Sequence, residues 1–168
     1  MIYGFDSSLT HFGYAVLAPE GWRAAGVFAT TPDADAPTRT GDLARRCEFL
    51  AQQLQQLVAR HGPPSAICCE ALVLPWGRTG LVTVSTLGRV RGLVDALAAQ
   101  HLVRAQEVSP MQLKKLVAGH ARAPKQAVQA ALCRAYPTLA SLLHQLAPAS
   151  VEHAADAAGA IVAVRGGL

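Results

Sequence analysis

Four side chains suited to metal binding or proton transfer stand out, because the chain has only 11 Asp and Glu among 168 residues. Asp6 ends one apolar run and Glu70 ends another, while His153 and Asp156 lie in an alanine-rich stretch. A carboxylate on a buried element is costly unless it is hydrogen-bonded, protonated or bound to a metal. His153 and Asp156 are three residues apart and therefore share one face of a helix.

Three carboxylates and an imidazole indicate a site for a hard divalent cation, with Mg²⁺ or Mn²⁺ favoured over zinc by the oxygen-rich donor set. Such a site suits phosphodiester hydrolysis with two ions, one generating the attacking hydroxide and the other stabilising the leaving oxygen. Each residue taken singly has a structural alternative. Asp6 could cap the turn at Ser7-Ser8, and Glu70 could lie at the surface where its strand ends. His153 could be a satisfied core histidine, whereas Asp156 on so apolar a helix is the hardest to explain structurally.

The elements that carry these residues form an α/β pattern. Strands are predicted over Met1–Asp6, Gly13–Leu17, Trp22–Thr30, Ala66–Glu70 and Val103–Val108. Helices are predicted over Asp42–His61 and Leu81–Gln100, from a capping box at Ser109-Pro110-Met111-Gln112, from Pro124 to Tyr136, and from near Ser150. A turn signal at Pro19-Glu20-Gly21 makes the first three strands an antiparallel meander. We therefore expect one α/β domain over residues 1–168, with a mixed sheet of three antiparallel strands plus parallel strands, flanked by helices. Ligands of such sheets bind at the carboxyl ends of strands.

The composition narrows the class of partner. The net charge of +4 and the pI of about 9.1 are compatible with a nucleic-acid ligand. No apolar run reaches the ~18–20 residues of a membrane span, and the N-terminal residues lack a signal-peptide pattern. The four cysteines form no CxxC pair and no zinc spacing, which is typical of reduced thiols. We expect a cytoplasmic protein, nucleoid-associated if bacterial, with no membrane contact.

The order of these motifs resembles the RuvC family of the RNase H-like nuclease superfamily. The matching segments are Met1–Tyr14, Ile67–Glu70, Ser109–Lys125 and His153–Ala157. The resemblance implies an RNase H-like fold and a structure-selective endonuclease. Such an enzyme resolves Holliday junctions, which are four-way DNA junctions, by symmetric metal-dependent hydrolysis in DNA recombination and repair.

The resemblance also implies roles for individual residues. Asp6, Glu70 and Asp156 would be metal ligands for two Mg²⁺ or Mn²⁺ ions. His153 would take the fourth catalytic position, either as a neutral imidazole ligand or as a general base. Glu152 is a substitute ligand on a neighbouring helix face.

DNA contacts are expected from the basic residues of the middle and later chain. Lys114 and Lys125 match the family's two DNA-binding lysines, and Arg78 and Arg91 are further candidates. Affinity based on phosphate contacts would be salt-dependent and tolerant of sequence.

Two positions depart from the family pattern. Ser7-Ser8 stands where the family has Pro-Gly, and Val73 stands where it has an aromatic residue that wedges into the junction. Leu74 and Trp76 are the other wedge candidates, since apolar side chains can unstack a base step.

A four-way junction has two-fold symmetry, so the resemblance implies a homodimer, and a branch-migration helicase is a candidate partner. The helix Leu81–Gln100 is the predicted dimer face, because Gly88 and Gly92 allow close approach; the alternative is that they pack on the sheet. Two other functions stay open. One is an RNase H-fold nuclease for another nucleic acid, and the other is a non-enzymatic or weakly active branched-DNA-binding module.

Overall fold

The computed structural model describes residues 1–72 and 80–168. Within these residues it contains a five-stranded sheet in the order β3-β2-β1-β4-β5. The strands are β1 Ile2–Asp6, β2 His11–Ala18, β3 Gly21–Ala29, β4 Ala66–Glu70 and β5 Ala105–Val108. The helices are α1 Arg39–His61, α2 Leu81–Gln100, α3 Pro110–Ala118, α4 Lys125–Ala135, α5 Pro137–His144 and α6 Pro148–Val164. Strands β1 to β3 are antiparallel and β1, β4 and β5 are parallel, as the sequence predicts.

The central strand β1 is apolar on both faces because helices cover both sides of the sheet. Tyr3 and Phe5 point to the side of α1 and α2, where they are fully buried. Gly4 lies between them and faces α6 on the opposite side. On the α6 side of the sheet, the residues that α6 contributes to the core are mainly small. They are Ala154, Ala155, Ala157, Ala158, Ala160 and Ala163, together with Ile161 and Val162.

Two glycines let α6 lie directly on the sheet backbone. A Cβ atom on Gly4 would stand 2.1 Å from the carbonyl oxygen of Ala157, and one on Gly13 would stand 2.2 Å from that of His153. Gly13 on β2 is paired with Asp6 on β1, and Asp6 is two residues from Gly4. The two glycines therefore face the same side of the sheet. Because glycine has no side chain, the helix that carries His153 and Asp156 can pack directly against the backbone of β1 and β2.

The carboxyl ends of β1 and β4 meet at one edge of the sheet, because these strands are parallel. Phe5 pairs with Cys69, so the next residues along the two strands are Asp6 and Glu70. Both strand-end carboxylates therefore lie at the same edge, next to each other. This placement follows from the topology alone.

The element boundaries differ from the prediction at a few places. Helix α1 begins at Arg39 instead of Asp42, because the Thr38 side chain accepts a hydrogen bond from the Gly41 N–H at 3.0 Å and caps it. Helix α5 was not predicted, and β5 is shorter than expected. The predicted capping box of α3 is confirmed. In the described parts of the chain, no helix combines the length and the apolar character needed to span a membrane.

Candidate active site

The carboxylate of Asp6 is hydrogen-bonded to the imidazole of His153. Nδ1 of His153 donates to Oδ2 of Asp6 at 2.6 Å, since a carboxylate only accepts. This hydrogen bond raises the pKa of His153, although burial acts in the opposite direction. The turn after Asp6 does not use its side chain: Ser8 N–H donates to the Asp6 carbonyl at 3.1 Å, and Ser8 Oγ accepts from the His11 N–H at 3.5 Å. Asp6 is therefore not the cap of the Ser7-Ser8 turn.

Glu70 lies within electrostatic reach of the other two carboxylates. Burial, followed by the negative charges of Asp156 and Asp6, raises the pKa of Glu70 to about 7. The positive charges of Lys125 and Lys114 act in the opposite direction. The three predicted carboxylates thus share one electrostatic environment, and this environment is short of positive charge.

The shortage is partly met by Lys125, which reaches across from α4 to α6. Its Nζ lies 3.2 Å from Oδ2 of Asp156 and 2.5 Å from Oε1 of Glu152. Asp156 has a side chain only 13% exposed, and burial raises its pKa despite the nearby ammonium group. The hydrogen bond from Lys125 lowers the pKa of Glu152. The Glu152 carboxylate, predicted as a substitute metal ligand, is therefore occupied by the lysine.

The hydrogen bonds and ion pairs within the site turn the acidic side chains away from one another. In residues 1–72 and 80–168, no group of three or more His, Cys, Asp or Glu side chains is gathered closely enough to hold a metal ion. Asp6 is turned to His153 and Asp156 is turned to Lys125. The chemistry of the donor set, three carboxylates and an imidazole at one sheet edge, nevertheless fits a divalent cation. The raised pKa of Glu70 points the same way, because a nearby cation would relieve the repulsion among the carboxylates.

Lys114 is brought to the site by the packing of α3 against α6. The preceding residue, Leu113, is buried, and its Cδ2 would lie 3.2 Å from a Cβ atom added to Gly159. The absent side chain of Gly159 lets Leu113 pack closely on α6, and the charge of Lys114 acts on Glu70. The charges of both predicted DNA-binding lysines therefore act on Glu70, and Lys125 also contacts Asp156.

Comparison with known proteins identifies the family to which the chain belongs. The family model described as crossover junction endodeoxyribonuclease RuvC matches residues 2–164. The chain belongs to the RuvC family. It is 31% identical over 128 residues to the RuvC of Cereibacter sphaeroides, covering 76% of this chain and 71% of the relative. The RuvC of Azorhizobium caulinodans is 31% identical over 130 residues, covering 76% of this chain and 72% of the relative. Nucleases of the RuvC family are metal-dependent.

Solved structures show the same fold. The structure of T. thermophilus RuvC in complex with a Holliday junction substrate matches with a TM-score of 0.76 and 22% identity, covering 98% of this chain and 92% of that one. The yeast mitochondrial Holliday junction resolvase matches with a TM-score of 0.62 and 13% identity, covering 95% and 75%. The predicted RNase H-like fold is confirmed.

Arg91 does not fit the DNA-contacting role that the sequence suggested. Its side chain is only 11% exposed and is ion-paired to Asp95 at 3.2 Å and to Glu107 at 2.5 Å. Asp95 is one turn further along α2, and Glu107 is on β5. The guanidinium group therefore joins α2 to the edge of the sheet and is not presented to a phosphate.

Arg91→Ala is expected to destabilise the fold by about 1–3 kcal/mol without changing the salt dependence of DNA binding. The cost lies below that of a fully buried pair because Asp95 and Glu107 are half exposed and can turn to water. Urea unfolding measures the first effect, and binding titrations at several salt concentrations measure the second. Arg89→Ala, at an exposed position on the same helix, should change stability by less than about 0.5 kcal/mol. A reduced salt dependence of DNA binding in Arg91→Ala would show that Arg91 does contact a phosphate.

The remaining predicted site residues lie outside the described residues. They are the DNA-contact candidate Arg78 and the wedge candidates Val73, Leu74 and Trp76. Most of the loop predicted at Leu74–Gly80 lies there as well.

Sequence reasoning also missed contributors to this RuvC-family site. Gly4 and Gly13 position α6, and His11 stacks on His153 with ring centroids 5.3 Å apart. A signal existed for the glycines, since both interrupt otherwise apolar strands, where glycine often marks a close backbone approach. Nothing in the sequence marks His11, because its partner is 142 residues away.

Proposed function

We propose that this protein is a metal-dependent endonuclease that resolves Holliday junctions by symmetric hydrolysis of two phosphodiester bonds. The observation that carries the proposal is the convergence of Asp6, Glu70 and Asp156 with His153 at one sheet edge. Two lysines flank this group in a chain of the RuvC family. Carboxylates brought to one sheet edge, together with lysine charges, suit a phosphodiester held against divalent cations.

Two Mg²⁺ or Mn²⁺ ions would be held by Asp6, Glu70 and Asp156. When bound, they would supply Lewis-acid activation of water and stabilisation of the leaving oxygen. In their absence Lys125 neutralises Asp156, and Glu70 takes up a proton below about pH 7. Ion binding therefore competes with a proton on Glu70, so the affinity for metal should increase as the pH rises through this range.

His153 has one ring nitrogen available for the reaction. Nδ1 is occupied by Asp6, which leaves Nε2 as the remaining nitrogen, and the side chain is 26% exposed. A neutral imidazole whose Nδ1–H is held by a carboxylate presents a lone pair at Nε2. This nitrogen could ligate a cation or accept the proton of the attacking water.

The assay that tests the proposal uses an end-labelled mobile four-way junction and the matching linear duplex, each incubated with Mg²⁺, with Mn²⁺ and with chelator. We expect paired nicks at symmetric positions in the junction, and only with metal. Cutting of the linear duplex at the same rate would instead indicate an RNase H-fold nuclease with another substrate. Tight junction binding without cutting under every condition would indicate a non-enzymatic module and contradict the proposal.

Lys114→Ala is expected to weaken junction binding and to reduce the slope of log K against log salt by about 0.9, the value for one lost phosphate contact. Lys114 is half-buried on α3, and its charge acts on Glu70, one of the carboxylates near which a scissile phosphate would be held. Fluorescence titrations at several salt concentrations measure the slope. Arg60→Ala is the control, because Arg60 lies in the last turn of α1, whose C-cap Gly62 contacts Tyr3 near the start of β1, away from the carboxyl ends of the strands. An unchanged slope for Lys114→Ala would count against the phosphate contact.

A homodimer formed through α2 would supply the two active sites that symmetric cutting needs. The start of this helix is apolar and exposed, with Leu81 88%, Val82 52% and Val84 38% accessible. Among the described residues, no atom lies within 4 Å of a Cβ added to Gly88 or Gly92, so these glycines do not serve packing on the sheet. A two-fold interface would bring the same face of both subunits together.

Gly88→Glu is expected to convert the dimer to monomer, because it would place two like charges on the symmetry axis in a helix-to-helix contact. The substituted side chain projects into open space in the single subunit, so the fold should be retained. Sedimentation velocity measures the change. Gln145→Glu, at an exposed position on the other side of the sheet, should leave the dimer intact. A monomeric wild type would show that this face is not an interface.

A further inference from the structure

We propose that His11 is a positioning residue that holds the imidazole of His153 in its working orientation. The role in cleavage rests on the proposed nuclease function. The two rings are parallel, with an interplanar angle of 4° and centroids 5.3 Å apart. This offset-stacked arrangement is favourable for two flat side chains.

The stacking adds a restraint that the hydrogen bond alone does not provide. The bond from Nδ1 of His153 to Oδ2 of Asp6 holds one edge of the ring at 2.6 Å. A ring held at one atom can still tilt about that atom, and each tilt moves Nε2. A second ring lying flat against the first prevents the tilt, so the direction of the Nε2 lone pair is fixed.

The ring of His11 is itself on a rigid support. His11 begins β2 and pairs with Ala29 of β3. Its N–H donates to Ser8 Oγ at 3.5 Å, within the short turn that also holds Asp6. Both restraints on His153 therefore originate from the two ends of one turn. A site on strands keeps its geometry better than one on loops.

The expected kinetic effect is selective. His11→Ala should lower kcat for junction cleavage roughly tenfold and leave KM unchanged, because only the orientation of His153 is lost. His11→Phe should retain most of the activity, since a phenyl ring can stack but cannot form the hydrogen bonds of imidazole. In a His153→Ala background, His11→Ala should have no further effect. A tenfold loss that persists in that background would overturn the proposal.

A spectroscopic measurement decides the inference independently of cleavage. Two-bond ¹H–¹⁵N spectra of the metal-free protein, recorded at one pH high enough for the His153 ring to be neutral, report which ring nitrogen carries the proton, with His153→Asn assigning the signals. We expect sharp signals of the Nδ1–H form in the wild type and in His11→Phe, and averaged or broadened signals in His11→Ala. Unchanged His153 signals in His11→Ala would overturn the proposal. A wild type that shows the expected spectra but cuts no junction would contradict the nuclease function and leave the positioning of His153 by His11 supported.

Discussion

Asp6→Asn is expected to abolish junction cleavage, lowering the rate by roughly 10³-fold or more, which corresponds to about 4 kcal/mol of lost transition-state stabilisation. Asparagine has nearly the same shape as aspartate, and its carbonyl can still accept from Nδ1 of His153, so the fold and the ring position should be retained. What is lost is the negative charge that would bind a divalent cation. Junction binding should stay within about twofold, because phosphate contacts depend on basic residues.

Single-turnover cleavage of an end-labelled junction measures the first effect, and a binding titration in chelator measures the second. Glu70→Gln and Asp156→Asn should behave in the same way. Asp35→Asn is the matched control, since Asp35 lies on the exposed loop before α1 and should have no effect. Cutting at the normal rate by Asp6→Asn would show that the assignment of the site is wrong.

Gly4→Ala is expected to destabilise the protein by about 3 kcal/mol or more, the upper range for overpacking a core. The added methyl group would stand 2.1 Å from the Ala157 carbonyl oxygen and 2.8 Å from Cγ1 of Ile161. Since the first of these is helix backbone, no side-chain rotation relieves the contact. The whole of α6 must move away from the sheet, which would separate its His153 from Asp6.

Urea unfolding with linear extrapolation measures the change in stability. Gln56→Ala, at an exposed position on α1, is the control and should change stability by less than about 0.5 kcal/mol. Gly13→Ala should resemble Gly4→Ala in stability and also lose cleavage in the folded fraction, since its methyl group would press on the His153 backbone. A Gly4→Ala protein as stable as the wild type would mean that α6 does not lie against β1 as described.

Much of the fold followed from patterns within single elements. The apolar runs predicted two strands that end on Asp6 and Glu70, and the structure has both and pairs them in parallel. Helix α5 was missed because it has only eight residues and a single residue separates Pro137, where it begins, from the end of α4 at Ala135. The start of α1 was placed too late because Thr38, its N-cap residue, lies in a segment that was read as a loop from its proline content.

The partners of the charged residues could not be predicted in the same way. Lys125 and Asp156 are 31 residues apart, and Asp6 and His153 are 147 apart, so their pairing depends on tertiary packing. Arg91 was an intermediate case. Asp95, one helical turn later, was a visible sign of an ion pair, but the second partner, Glu107, becomes a neighbour only when β5 joins the sheet.

The distance along the chain between Asp6 and His153 also has a consequence for protein synthesis. A nascent polypeptide leaves the ribosome from its N-terminus, so β1 emerges first and α6 is the last of the described elements to follow. Until α6 has been translated and has docked over Gly4 and Gly13, Asp6 has no imidazole partner and the site lacks Asp156. A truncated translation product that ends before α6 therefore carries only part of this set of side chains. The order of translation thus keeps the potential to cut DNA confined to chains that include this helix.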